Sequence, residues 1–103
     1  MKNRVYHITM AGTKLHKTGF SSNWFNRRNS YITCNPLIEF VEYVETYKKT
    51  KHKLEREMQK EIETLGGRYI VNHGKKTEWF EFDGDFSLDM LKSCKSRKII
   101  LGE

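Results

Sequence analysis

Two histidine-x-threonine tripeptides near the start of the chain are the first residues whose types and spacing could support catalysis. They are His7-Ile8-Thr9 and His16-Lys17-Thr18, within the stretch VYHITMAGTKLHKTGF. An imidazole can exchange a proton near neutral pH, and two such tripeptides that face each other across a phosphate could act on a phosphoester. Here they are nine residues apart, which is too close for two separate strands on either side of a ligand. The spacing disfavours that kind of phosphoesterase, and a half-buried histidine on a strand face is the simpler interpretation of His7.

A second set of candidates mixes aromatic and basic side chains in the polar stretch SSNWFNRRNS, residues 21–30. Cations beside stacking surfaces are typical of proteins that bind single-stranded nucleic acid. A lysine-rich block follows at residues 48–53, and its charge could track a phosphate backbone with an affinity that falls steeply as salt rises. The predicted nucleic-acid-binding residues are Trp24, Arg27, Arg28, Lys48, Lys49 and Lys51.

The overall charge agrees with an anionic partner, since 19 Lys+Arg against 13 Asp+Glu give a net charge of +6. Cys34 and Cys94 have neither CxxC nor zinc-finger spacing, so we expect reduced thiols and no metal site. The chain begins without a signal-peptide pattern and contains no apolar run of about 18 residues. These features predict a basic, cytoplasmic protein that does not cross a membrane.

Hydrophobic periodicity divides the first third of the chain into short elements. Residues 4–10 alternate in the manner of a strand, which places Val5, His7 and Thr9 on one face. A helical turn is predicted within residues 11–19, a loop at 21–30 and a second strand at 31–34.

A long helix is predicted from about Pro36 to Leu65. Asn35 followed by Pro36 is a good helix start, apolar residues recur at helical spacing, and two glycines follow Leu65. A hairpin at 68–84, a short helix capped by Ser87 and a last strand at 97–102 complete the chain. The sequence therefore predicts one small α+β domain over residues 1–103, with antiparallel sheet structure, one long helix and one short helix.

The order of motifs in the first half resembles the His-Tyr-Glu class of ADP-ribosyltransferases, the diphtheria-toxin and poly-ADP-ribose-polymerase type. The matching pieces are YHIT at 6–9, GF at 19–20, YIT at 31–33 and a following helix that carries Tyr43. The resemblance implies a split antiparallel sheet, NAD as cofactor and transfer of ADP-ribose to a macromolecular acceptor, protein or nucleic acid. A degenerate relative that binds NAD without catalysis is a variant of the same interpretation.

The resemblance also assigns roles to individual residues. His7 would bind the adenosine ribose of NAD, Thr9 would help to fix it, and Tyr31 and Tyr43 would hold the nicotinamide ring between them. The catalytic glutamate would be Glu81 or Glu78, which strand alternation places on opposite faces. The position of Glu81 near the end of its strand favours it, whereas Glu78 would be chosen if Phe80 and Phe82 face the core.

Two alternatives follow from the residues without this resemblance. The element order β-α-β-β-α-β suggests a ferredoxin-like domain, in which Trp79, Phe80 and Phe82 would form an RNA-binding surface. The size and charge also allow a non-catalytic inhibitor that acts by protein-protein contact, of the kind that a phage encodes.

Overall fold

The computed structural model describes residues 3–46, 51–94 and 99–101. Within these ranges the strands are β1 (Asn3–Met10), β2 (Leu15–Ser21), β3 (Ile38–Thr46), β4 (Arg68–Asn72), β5 (Lys75–Glu81) and β6 (Ile99–Leu101). The helices are α1 (Trp24–Cys34) and α2 (Lys51–Thr64), and two short 3-10 turns lie at Leu88–Met90 and Lys92–Cys94. None of the helices described is long and apolar enough to cross a membrane.

The strands form one antiparallel sheet in the order β4-β5-β2-β1-β3-β6, so the predicted α+β class is confirmed. β1 occupies the middle, and its Tyr6 lies between Gly19 of β2 and Tyr43 of β3. β2 pairs with β5 only from Leu15 to Lys17. Beyond Lys17 the two strands separate and leave an opening in the sheet.

The two faces of the sheet carry separate hydrophobic clusters. On one face, α2 buries Leu54, Met58 and Ile62 against a core that includes Val5 and Phe80. This confirms the predicted apolar stripe of α2. On the other face, Tyr6 and Ile8 form a smaller cluster that partly buried aromatic side chains surround.

The prediction of one helix from Pro36 to Leu65 is wrong, because residues 38–46 form β3. The buried positions in the second half of β3 are Glu42, Val44 and Thr46, which follow the two-residue period of a strand. The apolar residues in this segment also fit a helical spacing, so periodicity alone could not decide. Pairing with β1 over the full length of β3 decides for the strand.

Three further element predictions for residues 11–34 are wrong. Residues 15–21 form β2 rather than a helical turn, because they pair with β1 across a tight turn at Gly12, whose φ is +77°. Residues 24–34 form α1 rather than a loop and a strand. The helix begins after Asn23, whose side chain accepts a hydrogen bond from the backbone N–H of Asn26 at 3.4 Å. Asn35, which was expected to start a helix, instead ends α1 by donating its N–H to the Tyr31 carbonyl.

The remaining elements agree more closely with the sequence. The hairpin is present as β4 and β5, and part of the last predicted strand is present as β6. Ser87 caps the first of the 3-10 turns that replace the predicted short helix. Two strands precede the first helix, so the element order differs from the β-α-β-β-α-β order of the ferredoxin-like alternative.

Candidate functional site

A cluster of two tyrosines and one lysine lies at the opening between β2 and β5. The hydroxyl groups of Tyr6 and Tyr31 are 2.8 Å apart, and Lys17 Nζ donates to the Tyr31 hydroxyl at 2.6 Å. Lys17 Nζ also lies 4.5 Å from the centroid of the Tyr31 ring. We call Tyr6, Lys17 and Tyr31 the tyrosine–lysine cluster. It unites three groups that can donate or accept protons.

Three different elements position this cluster. Tyr6 is held on the central strand β1, and its ring lies directly over Gly19 of β2, where a Cβ atom would be 2.2 Å from the Tyr6 hydroxyl oxygen. Lys17 is two residues before Gly19 and therefore lies on the same face of β2. Tyr31 comes from α1, where its ring also contacts Phe40 with centroids 6.3 Å apart.

The local electrostatics keep Tyr6 protonated. Burial, together with the hydrogen bond and the charge of Tyr31, raises the pKa of Tyr6 well above its ordinary value of 10, while the positive charge of Arg27 acts in the opposite direction. Tyr6 therefore stays protonated at neutral pH and can donate its hydroxyl hydrogen. The Lys17 side chain is 11% exposed, so its charge acts in a poorly solvated place.

A carboxylate reaches the cluster from β5. Glu78 Oε2 is 3.0 Å from Lys17 Nζ, although the Glu78 side chain is 59% exposed. Glu78 also lines a small cavity of about 40 Å³ on the α2 side of the sheet, which Glu55, Gln59 and Thr18 share. Among the described residues, no group of three or more His, Cys, Asp or Glu side chains is arranged to hold a metal ion.

An open cleft of about 320 Å³ lies where β2 leads into α1. Its lining consists of hydroxyl, amide and basic side chains with one aromatic ring: Phe20, Ser21, Ser22, Asn23, Asn26, Arg27, Ser30 and Lys51. None of these lining residues carries a carboxylate. Arg27 lines this cleft, and its positive charge also acts on Tyr6, so this residue links the cleft to the tyrosine–lysine cluster. An anionic ligand matches this lining.

The family comparison overturns one of the interpretations of the sequence. A family model described as the T5orf172 domain matches residues 4–98. The chain belongs to the T5orf172 domain family. Neither a curated protein nor a solved structure matched it. The T5orf172 domain is a phage-type domain, so the resemblance to the His-Tyr-Glu ADP-ribosyltransferases was wrong. NAD had been assigned through that resemblance alone, and membership of the T5orf172 family gives it no support.

The four residues that the resemblance assigned to NAD binding lie in different environments in this structure. His7 is 1% exposed, and its Nε2 lies 2.9 Å from His16 Nδ1 inside the core. Thr9 is partly buried on β1. Tyr43 lies on β3, where the Arg4 guanidinium stacks 5.0 Å from its ring centroid. Tyr31 alone of these four residues belongs to the tyrosine–lysine cluster.

The two candidate catalytic glutamates have different ion-pair partners. Glu81, which the strand position favoured, forms an exposed ion pair with Arg68 at 3.4 Å. Glu78, the alternative, contacts Lys17. Phe80 is fully buried, which is the condition under which Glu78 was to be chosen. The sequence presents Lys17 only as part of a tripeptide and Tyr6 only as part of strand β1 and of the motif YHIT. Their contact depends on a β1–β2 hairpin that the sequence did not predict.

The structure brings two of the predicted nucleic-acid-binding residues together. Arg27 and Lys51 line the cleft. The Arg28 guanidinium lies over the Phe40 ring, 5.7 Å from its centroid. Trp24 is the first residue of α1, and its side chain lies outside the described part. Lys48 and Lys49 lie outside the described residues.

A second polar cluster lies on the opposite face of the sheet, inside the core. His7 Nε2 and His16 Nδ1 are 2.9 Å apart, and His7 Nδ1 faces Glu42 Oε1 at 3.6 Å, which is longer than a hydrogen bond. The Glu42 carboxylate accepts hydrogen bonds from the Leu88 backbone N–H and the Ser87 hydroxyl. This buried network ties β1, β2 and β3 to the turn that follows β5.

The buried network gives two groups shifted pKa values. Burial, followed by the charge of His7, lowers the pKa of His16 from 6.5 to about 4. Burial would by itself raise the pKa of Glu42, but the contacts with His7, Leu88 and Ser87 outweigh it and lower this pKa.

We expect the domain to lose stability as the pH falls from about 6.5 to about 4. The unfolded chain protonates His16 near pH 6.5, whereas the folded domain does so only near pH 4, so acid favours the unfolded state in this window. The expected loss of unfolding free energy from about pH 6 to about pH 4.5 is about 2 kcal/mol. Glu42 has a lowered pKa, so its contribution is present above its ordinary value of 4.5 and is lost at lower pH.

Urea unfolding from about pH 7.5 to about pH 4.5 measures this loss. His16→Gln should flatten the profile above pH 4.5, since the neutral amide keeps a polar contact to His7 without titrating. The matched control is His52→Gln, because His52 is exposed on α2. A wild-type profile that is flat across the window would contradict the prediction.

Proposed function

We propose that this domain binds nucleic acid in the cleft beside α1 and hydrolyses a phosphodiester bond at the tyrosine–lysine cluster. The observation that supports the proposal is the hydrogen-bonded chain from Lys17 Nζ to the Tyr31 hydroxyl to the Tyr6 hydroxyl. This chain places a poorly solvated cation and two phenols side by side, next to a cleft with basic lining.

The charge distribution favours a phosphate backbone as the ligand. Arg27 and Lys51 line the cleft, and the hydroxyl and amide groups of the lining can donate hydrogen bonds to phosphate oxygens. Contacts of this kind position a nucleic acid without reading its bases. The net charge of +6 adds a long-range attraction to the same class of partner.

The cluster has the groups that hydrolysis of a phosphodiester requires. Water attacks phosphorus, the new P–O bond forms as the bond to the leaving oxygen breaks, and the departing oxygen takes a proton. Lys17 and Arg27 would stabilise the negative charge that builds up on the phosphate oxygens, and the buried Tyr6 hydroxyl would hold Tyr31 in place through their hydrogen bond. The Tyr31 hydroxyl oxygen would accept a hydrogen bond from the attacking water and orient it, while the water's proton passes to solvent and the departing oxygen takes its proton from solvent.

The first experiment measures binding and cleavage together. End-labelled DNA and RNA oligonucleotides, single- and double-stranded, are incubated with the wild-type protein at increasing salt and in buffers with and without Mg²⁺. We expect strand cleavage, and binding that weakens steeply with salt.

Arg27→Ala should weaken binding about tenfold and reduce the dependence on salt. Arg68→Ala is the matched control, because Arg68 is equally basic and exposed but lies on the edge strand β4. No cleavage of any polymer under these conditions would contradict the catalytic part of the proposal. Equal effects of the two arginine variants would contradict the placement of the binding cleft.

A further inference from the structure

We infer that Glu78 is a positioning residue, whose carboxylate holds the Lys17 ammonium against the Tyr31 hydroxyl. Lys17 Nζ has two described polar contacts, the Tyr31 hydroxyl at 2.6 Å and Glu78 Oε2 at 3.0 Å. They come from α1 and β5, on two sides of the lysine. The consequence for catalysis rests on the proposed function, whereas the contact itself can be tested without it.

A second contact of this kind is needed to fix the position of the lysine ammonium group. Its ammonium group sits on a flexible stem of four carbons and has three hydrogens to donate. Bonds to Tyr31 and Glu78 use two of these hydrogens and fix the direction of the third. The third donor is then available for a phosphate oxygen without any rearrangement of the lysine.

This ion pair differs from three pairs whose partners are both well exposed, and its cation is also less exposed than Arg4 in the Arg4–Glu45 pair, at 26%. In Lys14–Asp83, Lys76–Glu63 and Arg68–Glu81 both partners are well exposed, and such pairs contribute little. In Lys17–Glu78 the cation is 11% exposed. A poorly solvated ammonium depends more strongly on a nearby carboxylate to stay charged and in place.

The other charged and titratable groups around Lys17 do not replace Glu78. From α1 the lysine meets Tyr31, and Arg27 lies close enough to act on the cluster. From β1 the cluster contains Tyr6, which stays protonated. From α2, Glu55 lines the small cavity together with Glu78, and no described contact joins it to Lys17.

Glu78→Gln is expected to lower the kcat of cleavage about tenfold and to leave KM within about twofold of the wild-type value. The substitution removes no positive charge from the cleft, so binding of the substrate should persist. Glu78→Asp should recover part of the lost kcat because it keeps the carboxylate. The matched control is Glu81→Gln, which removes the carboxylate three residues further along β5 and should leave kcat unchanged.

A second measurement reports on Lys17 without requiring catalysis. Reductive methylation of lysine amines, followed by mass spectrometry, gives the labelling rate of each lysine in the folded protein. Loss of Glu78 should raise the labelling rate of Lys17 at least about threefold, because only an uncharged, accessible amine reacts. Lys14, which is well exposed, serves as the internal reference and should not change.

The combined outcomes separate the two proposals. If the wild type cleaves nucleic acid and Glu78→Gln matches it in kcat, Glu78 is not a positioning residue. An unchanged Lys17 labelling rate in Glu78→Gln also overturns the inference. If no nucleic acid is cleaved but Lys17 labels faster, the contact is supported and the proposed function fails. Circular dichroism verifies folding, and should Glu78→Gln not fold, Glu78→Asp decides by both readouts.

Discussion

Lys17→Met is expected to reduce nucleic-acid cleavage by about 10²- to 10⁴-fold. Methionine fills a similar volume, so the packing beside Tyr31 is largely kept, while the ammonium and its hydrogen bond to the Tyr31 hydroxyl are lost. The missing charge no longer stabilises the phosphate oxygens, and Tyr31 loses the donor that orients its hydroxyl group. The loss corresponds to about 3 to 5 kcal/mol of transition-state stabilisation.

Single-turnover rates at saturating protein separate this chemical effect from binding. Tyr31→Phe should cause a loss of similar size, and the double variant should be little worse than either single variant, because the two residues act through one hydrogen bond. Tyr43→Phe is the matched control, since it removes a phenol from the same face of the sheet but outside the cluster. Cleavage by Lys17→Met at the wild-type rate would contradict the mechanism.

Local patterns predicted the elements whose residues obey a single period. The stripe Leu54, Met58 and Ile62 identified α2, and the alternation in residues 4–10 identified β1. Both patterns arise because one face of the helix or strand is buried, and this gives a periodic pattern within the element itself. The capping role of Ser87 was correct for the same reason, since a cap acts within one turn of the chain.

The segments whose secondary structure was predicted wrongly are stabilised by pairing with strands elsewhere in the sequence. Residues 38–46 fit both a helical and a strand period, and their strand form is decided by β1 on one side and β6 on the other. Residues 15–21 contain Gly19, which is unfavourable in a strand unless another group needs its space. That group is the Tyr6 ring on the neighbouring strand, and no local pattern reveals it.

Candidate site residues were predicted from the sequence one at a time, and the structure brings only some of them together in the cleft or in the tyrosine–lysine cluster. Arg27 was identified from its charge and its aromatic neighbours, and it does line the cleft. His7 shares with Val5 the face that packs under α2, where a histidine becomes a core residue. Lys17 and Tyr31 are 14 residues apart, on a strand and a helix that had been predicted as a turn and a strand. Their contact could not be foreseen without the correct elements.

Gly19→Ala is expected to destabilise the fold by about 3 kcal/mol or more and to disrupt the tyrosine–lysine cluster. An alanine Cβ would lie 2.2 Å from both Cζ and the hydroxyl oxygen of Tyr6 and 2.7 Å from Cε1. The backbone of β2 cannot retreat, because it pairs with β1 along Arg4 to Thr9. The Tyr6 ring must therefore move, and its hydrogen bond with Tyr31 is lost. Thermal unfolding should show a Tm lower by about 15 °C for a domain of this size.

A double variant tests whether the clash with Tyr6 is the cause. In a Tyr6→Leu background the ring is absent, so the further substitution Gly19→Ala should cost much less than it does in the wild type. Equal costs in the two backgrounds would show that Gly19 is needed for another reason. The cleavage assay adds a second criterion, since Gly19→Ala removes the Tyr6 contact while leaving Lys17 and Tyr31 in the chain. If Tyr6 holds Tyr31 in place for catalysis, the folded fraction of Gly19→Ala should cleave more slowly than the wild type, and Lys17→Met should remain slower still.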